Sequence, residues 1–437
     1  MSRASRSAVF TRLILLLLLA ASAAWVIRLR FHRAASAPAA AAGYGSTLPD
    51  VARLVFRHRA DSVVVERRGE ELWLTRPFSD RGDPLFLAEV NRQARRLQPG
   101  RVLPDSDAAS YGLDPPQAQL ALEDPHGARW TLSLGDSVPV GSQVYARVSG
   151  RPGLILLIDR FTARTYFEPR IATLRDRVAA PLSAGPIDSL EVITPGGEVR
   201  ARREGEMRWI CRSPAGLRLD PAKVGPLIEI LRSPSITGYP EPGRPLRSLG
   251  LDPPRATWLL WQGSRVDTVR VGNPTEDQVS FRILPARRSL PALLPTDRFR
   301  SFVDGWPALL DLHLLSIPPE SLRAVAFLDD PRAGSYEQQG SHWVRNPAGD
   351  PVTGRRALED YLRNLTRLQW RKYPAAAMTP AGARLRLALR TDARAETLSL
   401  AAPKDTIGWA KSTEMPRWGE VGADSWAIWR YRADHPE

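Results

Sequence analysis

Short runs of alternating apolar and polar residues open the chain's body, and the same order of runs returns twice more. In the first pass Val51–Phe56, Ser62–Glu66 and Glu71–Thr75 alternate with period two and stop at Pro77. Period two with β-branched content predicts half-buried strands. The second pass repeats this as Ser189–Thr194, Val199–Arg203 and Arg208–Cys211, closing at Pro214. The third does so as Leu322–Leu328, Ser335–Gln338 and His342–Val344, closing at Pro347. Trp73, Trp209 and Trp343 recur at matching places in these runs, which predicts core packing for all three.

The period then changes. Asp83-Pro84, Asp220-Pro221 and Asp350-Pro351 each place a side-chain acceptor before a proline suited to the first helical position. Apolar residues follow at helical spacing: Phe86, Val90, Ala94 and Leu97; then Val224, Leu227 and Leu231; then Leu358, Tyr361, Leu362, Leu365 and Leu368. Pro226 falls inside the second pattern, so a later start is expected there. After each helix come further strands, Ala118–Leu122 and Thr131–Gly135 in the first pass, Ala256–Leu260 and Val269–Gly272 in the second, Ala383–Leu389 and Thr397–Leu400 in the third.

Between helix and strands sits Tyr111-Gly112-Leu113-Asp114-Pro115-Pro116. It returns 138 residues later as Leu249-Gly250-Leu251-Asp252-Pro253-Pro254 and decays to Thr379-Pro380-Ala381 in the third pass. Glycine supplies a backbone angle other residues avoid, leucine plugs a core, aspartate accepts turn hydrogen bonds, and the prolines force an extended exit. These are turn residues, and two missing N–H groups make a poor anion cradle.

The expected fold is therefore α+β: an N-terminal transmembrane helix followed by three duplicated units, each of antiparallel strands packed with one main helix. The division read from the repeats is 1–30 for a cytoplasmic tip and signal anchor, 31–48 for a flexible Ala/Gly/Pro linker, 49–182 and 183–315 for the first two units, and 316–437 for a divergent third. The anchor rests on 15 uncharged residues between Arg12 and Arg28, rich in leucine. A spanning helix needs about 20 residues, but flanking arginines can snorkel and Trp25 suits an interface. A cleaved secretory signal ending near Ala21-Ser22-Ala23 is the competing reading, and Trp25-Val26-Ile27 just beyond favours the anchor. Three arginines lie on each side, so charge does not set the orientation, and export of the body is the expectation for a first segment.

Composition narrows the function classes. The net charge is +14 with pI ≈ 10.5, which raises nucleic acid as a partner. Six arginines flank the N-terminal run, and the remaining excess is spread thinly among acids with no basic block interleaved by aromatics; no nucleic acid is expected. The one cysteine, Cys211, allows no intrachain disulfide and reads as a buried strand residue. The six histidines, 32, 58, 126, 313, 342 and 435, form no metal or triad spacing, and neither a nucleophile elbow nor a phosphate-binding loop occurs. Glu70-Glu71 and Asp329-Asp330 are adjacent, so on strands they face opposite ways. Asp159-Arg160 and Asp297-Arg298 read as local ion pairs at helix starts. Trp306, Trp370, Trp418, Trp426 and Trp429 have no repeat equivalents and are the expected surface contacts. No catalytic residue, cofactor or metal is expected.

The ordered set of a Trp strand ending at proline, a helix, Tyr-Gly-Leu-Asp-Pro-Pro, a strand ending Leu-Gly, Tyr145-Ala146-Arg147 and Leu174-Arg175-Asp176 resembles the bacterial domain of unknown function 4340. The resemblance is strongest over 49–180, extends over 184–312 and weakens over 317–437. It implies a membrane-anchored, extracytoplasmic accessory or scaffold protein of the bacterial envelope. Its body would lie outside the inner membrane, with an envelope protein partner such as ABC-type transport components resembling those of gliding motility. The alternatives are a cell-wall glycan-binding module using exposed tryptophans and a hydrolase with a site assembled between repeats.

Overall fold

The computed structural model describes residues 43–422 except 60, 106, 206–207, 301–304, 330–333, 347–349, 352–354, 375–378, 381–383 and 405–406. The expected anchor, most of the linker and the closing run Trp426–Tyr431 lie outside the described residues. Among the described residues no helix is long and apolar enough to cross a membrane.

Three sheets correspond to the three passes of the pattern. The first contains β1 (Arg53–His58), β2 (Asp61–Arg68), β3 (Glu71–Arg76), β4 (Asp80–Arg81), β5 (Arg101–Pro104), β6 (Ala118–Glu123), β7 (Arg129–Ser137), β8 (Gln143–Val148) and β9 (Leu154–Asp159). Their order is β4-β3-β2-β1-β6-β7-β8-β9-β5, with β1 paired antiparallel to both β2 and β6. Two antiparallel meanders are thus joined along their first strands, and helix α1 (Pro84–Arg95) lies in the chain between them. The second sheet repeats the arrangement with β10 (Ser189–Thr194), β11 (Gly197–Glu204), β12 (Arg208–Ser213), β13 (Arg218–Leu219), β14 (Ala256–Gln262), β15 (Arg265–Pro274), β16 (Ser280–Leu284) and β17 (Ala292–Pro295) around α2 (Pro221–Arg232). The third does so with β18 (Ala324–Phe327), β19 (Ser335–Gln339), β20 (His342–Asn346), β21 (Asp350–Pro351), β22 (Arg384–Arg390), β23 (Ala395–Lys404), β24 (Ile407–Ser412) and β25 (Gly419–Val421) around α3 (Arg355–Thr366).

The caps work as their chemistry dictates in the first two repeats. Asp83 accepts from the N–H groups of Leu85 and Phe86, and Asp220 accepts from Ala222. The third differs: Asp350-Pro351 pairs with Val344–Arg345 as strand, and α3 starts at Arg355. Helix α2 begins at Pro221 and runs through Pro226 to Arg232, so the inner proline does not delay its start. Val90 and Ala94, then Val224, Leu227 and Leu231, then Leu358, Tyr361, Leu362 and Leu365 are buried on their sheets, as the 3.6-residue period requires.

The chain divides into two compact units, Met1–Asp176 and Arg177–Glu437. The second unit opens at Arg177 because the lead-in to each sheet docks on the helix that follows it. Ser46 N–H donates to Ala94 O, Ala180 to Leu231 O and Leu314 to Leu368 O. The first unit buries its own core around α1. In the second, the sheets around α2 and α3 share one apolar cluster that includes Trp306, Leu310, Leu314 and Ile317 of the segment between them. Trp306 meets Tyr373 edge-on at 5.2 Å across that seam. Two of the three repeats therefore share one core.

Candidate functional site

The repeated Gly-Leu-Asp-Pro-Pro joint is structural. Gly112 and Gly250 have φ +67° and +70°, the left-handed region, and each ends a short 3₁₀ turn. Leu113 and Leu251 are buried. The aspartates depart from expectation: Asp114 and Asp252 are exposed, and among the described residues neither carboxylate accepts a hydrogen bond. The peptide bonds Asp114-Pro115 and Asp252-Pro253 are cis. The turn is set by Gly250 and the buried leucine, with the acid turned to water.

Titratable groups converge instead on a pair of residues that spacing did not flag. In the first two repeats the short strand before the helix carries an arginine, and the segment closing the sheet carries an aspartate. Asp176 N–H donates to Arg81 O and Asp311 N–H to Arg218 O, and their carboxylates meet the same arginines at 3.1 and 3.3 Å. The ends of the first and second repeats are thus pinned to their middles by one duplicated ion pair.

In the second unit this lock also reaches the third repeat. The Arg218 side chain, 4% exposed, contacts Glu414 at 3.3 Å and donates to His313 O at 2.6 Å, and Arg208 also pairs with Glu414. Nearby, Ser316 donates to the buried carboxylate of Glu396 at 2.5 Å, and Arg394 donates to Ser316 O. A cavity of about 320 Å³ opens among Arg208, Arg218, Asp311, Ser316 and Arg394. Burial pushes the Asp311 carboxyl up, but the hydrogen bond with His313 and the Arg218 charge outweigh it and leave it below its ordinary value. Glu414 is likewise raised by burial and held low overall by Arg208 and Arg218. His313 is raised, chiefly by its 2.8 Å hydrogen bond with Asp311. Carboxyls held low stay ionised near neutrality and make clasps rather than proton shuttles.

The other sequence candidates are scattered. His58 sits 2.5 Å from Glu168, and His342 lies beside Ser341. Among the described residues no group of three or more His, Cys, Asp or Glu could hold a metal ion. Asp159 and Arg160 do not pair: Asp159 caps Thr162 while Arg160 reaches Gly141 O. Glu71 pairs with Arg81 and Asp329 with Arg386; Asp330 lies outside the described residues, as does the Arg298 side chain. Cys211 is buried in β12, and burial pushes its thiol up to about 12. At pH about 8 the folded protein should therefore resist a thiol reagent and react only after unfolding; rapid labelling of the native chain would refute this burial.

The tryptophans reverse part of the expectation. Trp306, Trp370 and Trp418, expected at the surface, are 6%, 1% and 5% exposed. Trp370 satisfies its N–H by donating to Ala410 O at 2.9 Å. Trp209 and Trp343 are buried as expected, but Trp73 is half-buried, lies under Arg68 and donates to Glu71. The cause is register. Trp209 pairs with Leu219, one residue before the helix cap Asp220, whereas Trp73 pairs with Arg81, two before the cap Asp83. A one-residue offset turns a strand side chain to the other face.

On the second sheet that other face carries a cavity of about 440 Å³. Residues 190, 201, 211 and 260 point to the core, so their neighbours Ser189, Arg202, Arg212 and Trp261 share the opposite face. Arg202 and Trp261 both stand directly across from Ser189, on either side of it. Serine is short, so the two long side chains wall a cleft. Glu191 at its base is paired with Arg200 at 3.0 Å, and Asp188 at its rim accepts from Gly263 N–H at 2.5 Å. Arg202 and Arg212 are exposed and, among the described residues, have no partner.

No curated protein matches the chain. Residues 81–254 match a family model, a stretch running from β4 in the first sheet to the second Gly-Leu-Asp-Pro-Pro joint. By that match the chain resembles the family described as Domain of unknown function (DUF4340).

Proposed function

We propose that this protein is a membrane-anchored, extracytoplasmic accessory or scaffold protein of the bacterial envelope that presents repeated sheets to an envelope partner, an ABC-type transport or gliding-motility-like complex being the kind of assembly the family resemblance suggests. The observation that carries the binding role is the cleft on the exposed face of the second sheet, where two uncommitted arginines stand beside an accessible tryptophan. Anchoring rests on the leucine-rich run 13–27 and the Ala/Gly/Pro spacer behind it. The charged groups that converge elsewhere are spent on joining sheets, which supports a rigid presenting body over a reaction centre.

Fractionation of a tagged full-length protein, with the mass of its N-terminus, tests the address. The expected result is an uncleaved chain in the inner-membrane fraction with its body open to external protease. A soluble chain, or a body protected from that protease, would overturn the reading. Recovery of a membrane protein after mild solubilisation is the expected result for the scaffold role, and repeated recovery of none would count against it. The second reading, glycan binding, is favoured by Trp261, since Trp306, Trp370 and Trp418, first expected to serve it, are buried.

A further inference from the structure

We propose that the cleft between Arg202 and Trp261 is a docking site for an acidic, aromatic-bearing polypeptide segment of a partner protein. The inference rests on the scaffold reading and names the chemistry of the partner. Three features of the face select this occupant.

The first is unspent charge. Of the three cleft arginines only Arg200 is engaged, bonded to Glu191 and 3.6 Å from Glu198. The guanidinium groups of Arg202 and Arg212 each offer planar, paired donors that fit a carboxylate side by side. Of the two lining acids Glu191 is paired with Arg200, and Asp188 keeps its charge at the rim while accepting from a backbone N–H, so three arginines face two carboxylates. An incoming carboxylate therefore meets a net positive lining in which, among the described residues, Arg202 and Arg212 have no acid of their own.

The second is an apolar stripe beside that charge. Cross-strand pairing sets Val266 against Trp261 and Trp261 against Ser189. Val266 is 43% exposed, and Ile193, four residues along β10 from Ser189 and outside the cleft, is 39% exposed on the same face. Side chains directly opposite on one face lie about 4.5–5.5 Å apart and form a continuous surface. An aromatic or aliphatic residue next to the bound carboxylate would cover this stripe, with Trp261 as its stacking partner.

The third is size. A volume of about 440 Å³ lies within the roughly 300–1,000 Å³ of ordinary ligand sites. It suits a few residues of peptide, with the open sheet around it accommodating the flanking chain. An anionic glycan shares the carboxylate but would leave Val266 and Ile193 facing hydroxyl groups, so a peptide is the better match.

The test uses the full chain in detergent micelles and a fluorescently labelled random copolymer of glutamate and tyrosine, read by anisotropy. Poly-L-glutamate, poly-L-lysine and soluble peptidoglycan fragments are the comparison probes. Saturable binding of the copolymer is expected, weaker binding of poly-L-glutamate and none of poly-L-lysine. Raising salt from about 50 to about 500 mM should weaken binding, because exposed charges are screened. The Arg202→Glu/Arg212→Glu double variant should weaken it about tenfold or more, and Trp261→Ala should erase the preference for the tyrosine copolymer.

Both arginines are exposed, so the double variant should melt with the wild type; should it not, Arg202→Gln/Arg212→Gln removes the charge without reversing it and serves the same comparison. Undiminished binding by a folded double variant, no copolymer binding, or binding of peptidoglycan fragments alone would overturn the inference. A chain that recovers a membrane partner yet ignores the copolymer refutes this site and leaves the scaffold reading standing. Failure to recover any partner refutes the scaffold reading itself.

Discussion

Replacing Arg218 by methionine should lower the stability of the second unit by about 3–5 kcal/mol, the usual cost of removing one partner from a buried charge cluster. Arg218 is almost wholly enclosed and serves Asp311, Glu414 and the His313 carbonyl together. Methionine fills part of the space but strips Asp311 of its arginine and leaves Glu414 with Arg208 alone. Those contacts hold the end of the second repeat to its own β13 and to the turn after β24 in the third, so both halves of the shared core should loosen together. Urea unfolding of the full chain, with amide exchange followed at Asp311 and Leu314, measures it. Arg202→Met, on the exposed face, should stay within about 0.5 kcal/mol of the wild type. If R218M unfolds with the wild type, the cluster is not the clasp described.

The same cluster sets a pH signature. Asp311 and Glu414 titrate below their ordinary values. Their contribution is present above the unfolded carboxylate range, near pH 4, and is lost as pH falls through the lower folded values. His313 is shifted the other way. Its contribution is full below its unfolded value of about 6.5 and is lost as pH rises through the folded one. Asp311→Asn should flatten both limbs, since that carboxylate is the chief cause of the histidine's shift; a variant with the wild-type profile would refute the assignment.

Gly272→Ala should cost about 1–3 kcal/mol or more, as overpacking against fixed backbone does. A methyl there would sit 2.5 Å from Leu249 O and 3.0 Å from the Leu251 side chain, so β15 and the joint could not keep their spacing. Gly135 in the first repeat is tighter, its added carbon falling 2.2 Å from Tyr111 O. Gly225, inside α2, has no atom outside its own helix within 4 Å of an added carbon, but Pro226 crowds the Cβ of a helical residue before it, so alanine there should change stability by less than about 0.5 kcal/mol. Thermal melts of the three variants decide the matter. Equal melting of Gly272→Ala and wild type would mean that the joint is not clamped against the strand.

Much of this architecture was legible from local chemistry. Period-two runs gave the meanders, and the Asp-Pro starts of α1 and α2 gave their caps, because a side-chain acceptor and a fixed φ act within a few residues and need no partner from afar. The joint was legible as a turn for the same reason, and Gly250 behaves as its lack of a Cβ dictates. Its aspartate did not, since whether a turn acid bonds or faces water depends on donors that other segments bring. Asp350-Pro351 carried the same local signal as the other starts, and pairing with β20 made it strand.

The candidate sites were far less legible, and the tryptophans show why. Equivalent spacing suggested that Trp73 and Trp209 share an environment, but one residue of register sends them to opposite faces. Trp306 and Trp370 lacked repeat equivalents and lie in the core that two sheets share, which no single repeat discloses, and Trp418 is buried beneath Lys411. Arg218, Asp311 and Glu414 lie far apart in the chain and carry no motif; only the docking of the second and third repeats joins them. By itself the sequence determined the strands, the first two helix starts, the repeated joint and the resemblance, all properties of short range. The tertiary structure alone decided which side chains face the core, which charges neutralise one another and where Arg202 and Trp261 leave a cleft, because burial and pairing are settled between segments that sequence spacing does not relate.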